Sequence, residues 1–221
     1  MIAFGALPIL EGSAEEAPCV GCQAGCCRAF AVPLTGTDVI RIMREQGHSF
    51  GEFVCRWADP EGLISRQIAP QFLFEDDPEI PYVIGLLQNE SRILTGSAKC
   101  RFLIELPADS ERAPSPSVCS IYASRPAACR VFPFRFEPSG QIGVQPDVTT
   151  GDRNQSTLCP SRWIVTEAQR SQAEIDLTDC LQQMELFRLV AERWNAVPGP
   201  WPLFPAFLID LYSRLLATAA A

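Results

Sequence analysis

Histidine, lysine and long apolar runs are what this sequence has least of. One histidine (His48) and one lysine (Lys99) occur in 221 residues. With a single histidine there is no H-E-x-x-H pair of the metalloprotease type. G-x-G-x-x-G, G-x4-G-K-[ST] and G-x-S-x-G are missing too, so nothing indicates nucleotide binding or hydrolase chemistry. No stretch approaches the ~20 apolar residues that cross a bilayer. Residues 1–10 are apolar but short, lack a basic flank and meet their first charge at Glu11. A secretory leader is therefore not expected, and the sequence reads as cytoplasmic. Basic charge is in deficit, 18 Lys+Arg against 26 Asp+Glu, for a net charge of −8 and a pI near 4.8. That balance argues against nucleic-acid and anionic-membrane partners, and it leaves any protein partner open. Seventeen of the 18 basic residues are arginine, a composition bias. Internal repeats and long low-complexity tracts are absent. An apolar content of 47% excludes a fully disordered chain.

What the chain has in excess is cysteine, ten residues. A disulfide framework suits chains below about 100 residues that cannot build a core, and this chain is long enough to build one. In a reducing compartment, clustered thiols hold metal or do redox chemistry. The densest group is Cys19-x2-Cys22-x3-Cys26-Cys27, interleaved with Gly21 and Gly25. A C-x2-C step lets two thiolates of one turn reach one metal or cluster. Successive side chains tend to diverge, so Cys26 and Cys27 suit two nearby metals, or different irons of one cluster, better than one tetrahedral ion. A second, dispersed group is Cys100, Cys119, Cys129 and Cys159.

The expected architecture is α+β, with small mixed strands around a cysteine metal site and a helical C-terminal part. Residues 1–17 read as a loose lead-in and 18–221 as a single domain, its metal-bearing region 18–160 and its helical part 161–221. A capping box at Thr35-x-x-Asp38 and a stop at Gly47 predict a helix over 36–46. Phe50, Phe53, Val54 and Trp57 fall on one helical face. Strands are expected at 70–75, 81–88, 99–105, 131–136 and 141–145, with a Pro/Ser-rich loop over 106–117. Pro126 is placed to start a short helix that Pro133 ends. Pro160 opens a helix through about 170. Leu177, Leu181, Met184, Phe187, Val190 and Trp194 mark a stripe within 174–195, followed by a stiff turn over 197–205. Phe207, Leu208, Leu211, Tyr212 and Leu215 mark a terminal helix. Cys55 and Cys180 are expected on apolar helix faces as small hydrophobes. His48 reads as a loop residue, and Asp76, Asp77 and Glu79 as an acidic turn.

C-x2-C-x3-CC, then Cys100-Arg-Phe-Leu103, then C-x-I-Y-x2-R-P-x2-C-R-x-F-P-F from Cys119 onward together resemble the bacterial YkgJ-type cysteine-cluster family, also called the CxxCxxCC family. The resemblance covers about residues 18–160 and implies a zinc- or iron-chelating domain. Some relatives resemble the flagellin lysine N-methylases, whose cysteine cluster is linked to iron–sulfur binding. The spacing between Cys22 and Cys26 departs from the family name, x3 where x2 is implied, and the Pro/Ser-rich insertion is a further difference.

The candidate ligands are thus Cys19, Cys22, Cys26, Cys27, Cys100, Cys119, Cys129 and Cys159. An all-thiolate set favours Zn2+ or an iron–sulfur cluster, a [4Fe–4S] cluster among them, over magnesium or calcium. Four of the ten cysteines are followed directly by arginine, where the arginine content predicts fewer than one. Arg28, Arg101 and Arg130, together with Arg125, are candidates to donate N–H groups to sulfur; solvated guanidiniums, and for Arg125-Pro126 a purely structural turn, are the alternatives. Cys159-Pro160 echoes the ending of some ferredoxin motifs. Three functions follow: a metal-binding cysteine-cluster protein, a metal- or iron–sulfur-dependent modification or redox enzyme, and an adaptor stapled by metal. A fully thiolate shell has no open position, which favours a structural or electron-transfer centre over catalysis at the metal.

Overall fold

A computed structural model describes residues 24–65, 69–106, 117–137, 139–144 and 166–219. The lead-in, Cys19, Cys22, Cys159, Pro160 and most of the Pro/Ser-rich loop lie outside these residues. The described chain is α+β. Helices α1 (Cys26–Ala29), α2 (Gly36–Gln46) and α3 (Ala127–Val131) alternate with short antiparallel sheets, and α4 (Glu167–Asn195) and α5 (Phe204–Ala219) follow. No described helix is long and apolar enough to cross a membrane.

Helix α2 forms where the capping signals place it. The Thr35 hydroxyl accepts from the Asp38 N–H, the Asp38 carboxylate accepts from the Thr35 N–H, and Gly47 closes the helix at φ 69°. Residues 50–57 do not continue as the helix their spacing suggests. Phe50–Glu52 is one 3-10 turn, and Val54–Ala58 is strand β1. The reason is long-range: Val54 pairs with Leu86 and Ala58 with Tyr82 along β3 (Asp77–Leu86). β-branched and aromatic residues satisfied on a sheet outweigh a weak local helical period. β2 (Phe72–Phe74) pairs with β3 on the other side.

Beyond β2 that same side of β3 continues with residues 32–34. The Leu34 N–H donates to Ile84 O and the Leu86 N–H to Val32 O, both at 2.9 Å. Gly85 permits this approach. A Cβ there would stand 2.8 Å from Val32 O and 2.7 Å from the Trp57 indole.

Three two-stranded ribbons follow. β4 (Gln88–Glu90) pairs with β5 (Ala98–Cys100), β6 (Leu103–Glu105) with β7 (Ser117–Cys119), and β8 (Phe134–Phe136) with β9 (Ile142–Val144). Val131, expected in a strand, instead closes α3.

Helix α4 is continuous from Glu167 and is capped by Thr166, so the expected break near 170 does not occur. Its buried stripe runs Leu177, Cys180, Met184, Phe187, Val190 and Trp194; Leu181 lies outside it at 42% exposure. The C-terminal end of α4 docks on β2. The Trp194 indole donates to Leu73 O, and the Asn195 amide accepts from the Leu73 N–H while donating to Gln71 O. After a 3-10 turn at Trp201–Leu203, α5 begins at Phe204, whose ring meets Phe72, Phe74, Trp194 and Trp201. This aromatic centre continues through Phe53 and Phe102 to the cysteine-bearing ribbons.

Candidate metal centre

Four elements carry cysteine toward one region. The Gly25-Cys26-Cys27 turn is tight: Ala24 sits at φ 58°, and the Cys27 N–H donates back to Ala24 O. One helical turn then presents both sulfurs, with Cys26 Sγ and Cys27 Sγ 4.0 Å apart. They do not diverge as the adjacency argument expects. Their separation is close to about 3.8 Å, the edge of a tetrahedron built on zinc–sulfur bonds of ~2.3 Å.

Helix α1 packs against β5, which ends at Cys100. Cys119 ends β7 in the same way, opposite Leu103. Cys129 lies in α3, where Phe132 beyond it meets Phe30 beyond α1, the rings 5.8 Å apart.

Charge on Cys26 acts on Cys27, Cys100, Cys119 and Cys129 alike. The Cys26 contact, burial, and the charges on Cys26, Cys100 and Cys129 push the Cys27 thiol far above its ordinary range. Burial raises Cys129 strongly, and charges on Cys100, Cys26 and Cys119 add to it. Burial pushes Cys100 up to about 11, against backbone N–H groups of Phe102 and Leu103 that favour its thiolate. Cys119 is raised by burial while the Ile121 N–H and the Arg125 charge oppose it. Cys100 and Cys119 therefore share a local design: a strand ends in cysteine, and the turn after it aims backbone N–H groups at the sulfur. Among the described residues, no three histidine, cysteine, aspartate or glutamate side chains are drawn together tightly enough to hold a metal ion by themselves.

The two remaining described cysteines are elsewhere. Cys55 lies on strand β1, not on a helix, and its thiol donates to Gly85 O at 3.6 Å; burial raises it to about 12. Cys180 is buried on α4 with Leu177 and Met184, and burial raises it to about 11. His48 is half-buried against the rings of Phe53 and Phe102.

Of the candidate arginines, Arg125 is the one whose charge Cys119 registers, and it also lies over the Tyr122 ring at 4.4 Å. Arg28 pairs with Glu105 at 2.6 Å. Arg101 donates from Nε to Glu52 O. Arg130 pairs with Asp179 at 2.6 Å and faces Asp176 at 3.7 Å, docking α3 on α4. Arg56, after Cys55, pairs with Asp76 and lies over the Tyr82 ring.

Residues 18–160 match the family model CxxCxxCC, described as "Putative zinc- or iron-chelating domain". The chain belongs to the CxxCxxCC family. No curated protein matches, and no solved structure does. The CxxCxxCC match spans all eight candidate ligands and Cys55, and it leaves Cys180 outside.

Two carboxylates in this CxxCxxCC domain have partners that sequence reading does not reach. Asp38 is fully buried; besides capping α2 it accepts from the Ala127 N–H at the start of α3 and from Arg41 Nη2. Glu105 accepts from Ser91 Oγ, the Arg92 N–H, Arg28 and Lys99. The only local signal for Glu105 is a lone charge among Leu103, Ile104 and Leu106. Burial alone would raise the Glu105 carboxyl, but those four donors override it and hold it at about 2, below its ordinary 4.5. A carboxyl depressed by folding stabilises fully above its ordinary value, and that stabilisation drains away as pH falls from 4.5 through about 2. Denaturant titrations of metal-free protein should show stability falling more steeply across that window than in Glu105→Gln. Parallel curves would refute the assignment.

Proposed function

We propose that this chain is a thiolate metal-binding protein, holding zinc or an iron–sulfur cluster through Cys26, Cys27, Cys100, Cys119 and Cys129, with Cys19, Cys22 and Cys159 completing the donor set. The observation that carries the reading is the gathering of five thiols from four elements, spread over a hundred residues of sequence, into one region. The donor chemistry fits soft, sulfur-seeking metals. Thiols crowded and buried in this way resist ionising alone, because each new thiolate faces its neighbours' charge. A bound cation supplies the compensating charge, and binding would release the protons. Backbone N–H groups already aimed at Cys100 and Cys119 favour the same ionised state. A centre of this kind staples the ribbons to α1 and α3, or carries electrons.

Protein purified without chelator under anaerobic conditions should contain zinc or iron at about one or more equivalents. Broad absorption near ~400 nm identifies iron–sulfur, and a colourless protein with bound metal identifies zinc. Cys100→Ser and Cys129→Ser should strip the metal, whereas Cys180→Ala and Cys55→Ala should retain it. Metal-free material with an undiminished cooperative melt would reject the reading. Loss of metal from Cys180→Ala equal to that from Cys129→Ser would reject the division of the cysteines.

A further inference from the structure

We infer that Glu105 is a positioning residue for the thiolate centre: one buried carboxylate that sets how α1, β5 and β7 present their cysteines. This inference rests on the metal-binding reading above.

Glu105 is 2% exposed at its side chain, and its two cationic partners, Arg28 and Lys99, are only 10% and 11% exposed. Arg28 Nη2 lies 2.6 Å from Glu105 Oε1, and Lys99 Nζ lies 3.2 Å from Oε2. The same oxygens accept from Ser91 Oγ at 2.6 Å and from the Arg92 N–H at 2.9 Å. Each partner has a specific place in the chain. Arg28 follows Cys27 directly. Lys99 precedes Cys100 directly and also donates to Leu103 O at 2.8 Å. Glu105 stands opposite Ser117 in the β6–β7 ladder, two residues before Cys119, and Arg28 extends to Ser117 Oγ at 3.5 Å and to Ser91 Oγ at 2.9 Å. The Glu105 side chain thus joins α1 to β5 at the residues next to Cys27 and Cys100, and β7 joins them through the β6–β7 ladder and the Arg28–Ser117 contact, two residues before Cys119.

A carboxylate in this position does two things. It cancels two neighbouring cations that would otherwise repel each other in a poorly solvated place and push α1 away from β5. It also engages the Arg28 fork, so that the guanidinium has a fixed orientation and the turn bearing Cys26 and Cys27 has a fixed approach. Neutralising Glu105 removes both effects while altering no sulfur.

The test uses the full chain and Zn2+ and Co2+ as probes. Glu105→Gln should weaken Zn2+ binding about 10–100-fold in competition with a chelator, the range for lost outer supports of a metal site. It should also weaken the sulfur-to-cobalt charge-transfer band per bound Co2+, because fewer thiolates reach the ion. Asp76→Asn breaks the Arg56 pair, which joins no cysteine-bearing element of the centre. It should lower the melting temperature yet leave affinity and band unchanged, which separates positioning from plain stability. If Glu105→Gln does not fold, Lys99→Met leaves the Arg28 pair in place and should weaken Zn2+ binding by a smaller factor. Unchanged or tighter binding in Glu105→Gln, or unchanged binding in Lys99→Met where that variant stands in, overturns this inference alone. Wild-type protein that takes up neither probe overturns it together with the metal-binding reading.

Discussion

Phe204→Ala should lower the free energy of unfolding by about 3–5 kcal/mol, the range for emptying a buried phenylalanine site. Phe204 is fully buried at the first position of α5. Its ring stacks on Trp201 at 5.6 Å and meets Trp194 edge-on at 5.0 Å, Phe72 at 5.1 Å and Phe74 at 5.5 Å. Such pairs add about 0.5–1.5 kcal/mol each beyond the area they bury. The neighbours are large and held from several elements: Trp194 by its bond to Leu73 O, Phe74 within β2, Trp201 in the turn before α5. They cannot collapse readily into the space left. Against a typical total of about 5–15 kcal/mol, this is a large fraction. Urea midpoints and near-ultraviolet circular dichroism would check it. A loss below about 1 kcal/mol would mean that Phe204 is not the centre of this packing.

Asp38→Ala should cost a similar amount, about 3–5 kcal/mol, for a different reason. The carboxylate is fully buried and accepts from three directions: the Thr35 N–H at 3.0 Å, Arg41 Nη2 at 2.7 Å and the Ala127 N–H at 3.0 Å. Alanine leaves two backbone N–H groups without their acceptor and the Arg41 guanidinium with the Arg125 carbonyl but no carboxylate. It also unfastens α3 from α2, and α3 carries Cys129. Metal content should therefore fall along with stability. Asp38→Asn keeps the shape and one acceptor oxygen and should lose less. Denaturant unfolding and elemental analysis of the same preparations test both halves. A change within about 0.5 kcal/mol, as for an ordinary surface site, would refute this role.

The parts of the fold that sequence discloses are those whose causes lie within a few residues. α2 is legible because its capping box and its glycine stop are local chemistry. The α4 stripe is legible because its period repeats along the helix, although Cys180 rather than Leu181 occupies the buried row. Residues 50–57 mislead because the partner that makes Val54–Ala58 a strand lies about thirty residues away on β3. Spacing and resemblance group eight cysteines, and the structure brings the five described ones into one region. Glu105, and the bond from Asp38 across to Ala127, stay hidden because an acidic residue announces nothing about a buried partner far along the chain. The Cys-Arg pairs are visible in sequence, but which way each guanidinium turns is decided by the carboxylate, carbonyl or ring it meets.

The approach of residues 32–34 to β3 also bears on how this chain avoids sticking to copies of itself. At ten residues, β3 is the longest strand described, and a strand of that length with one bare flank is a template for intermolecular growth. β1 lies along one flank, and β2 followed by residues 32–34 lies along the other. The described ribbons elsewhere have strands of three residues, too short to recruit another chain effectively. Any side chain at position 85 would meet Val32 O and lift this cover from Ile84 and Leu86. The missing Cβ of Gly85 thus acts as a safeguard against aggregation.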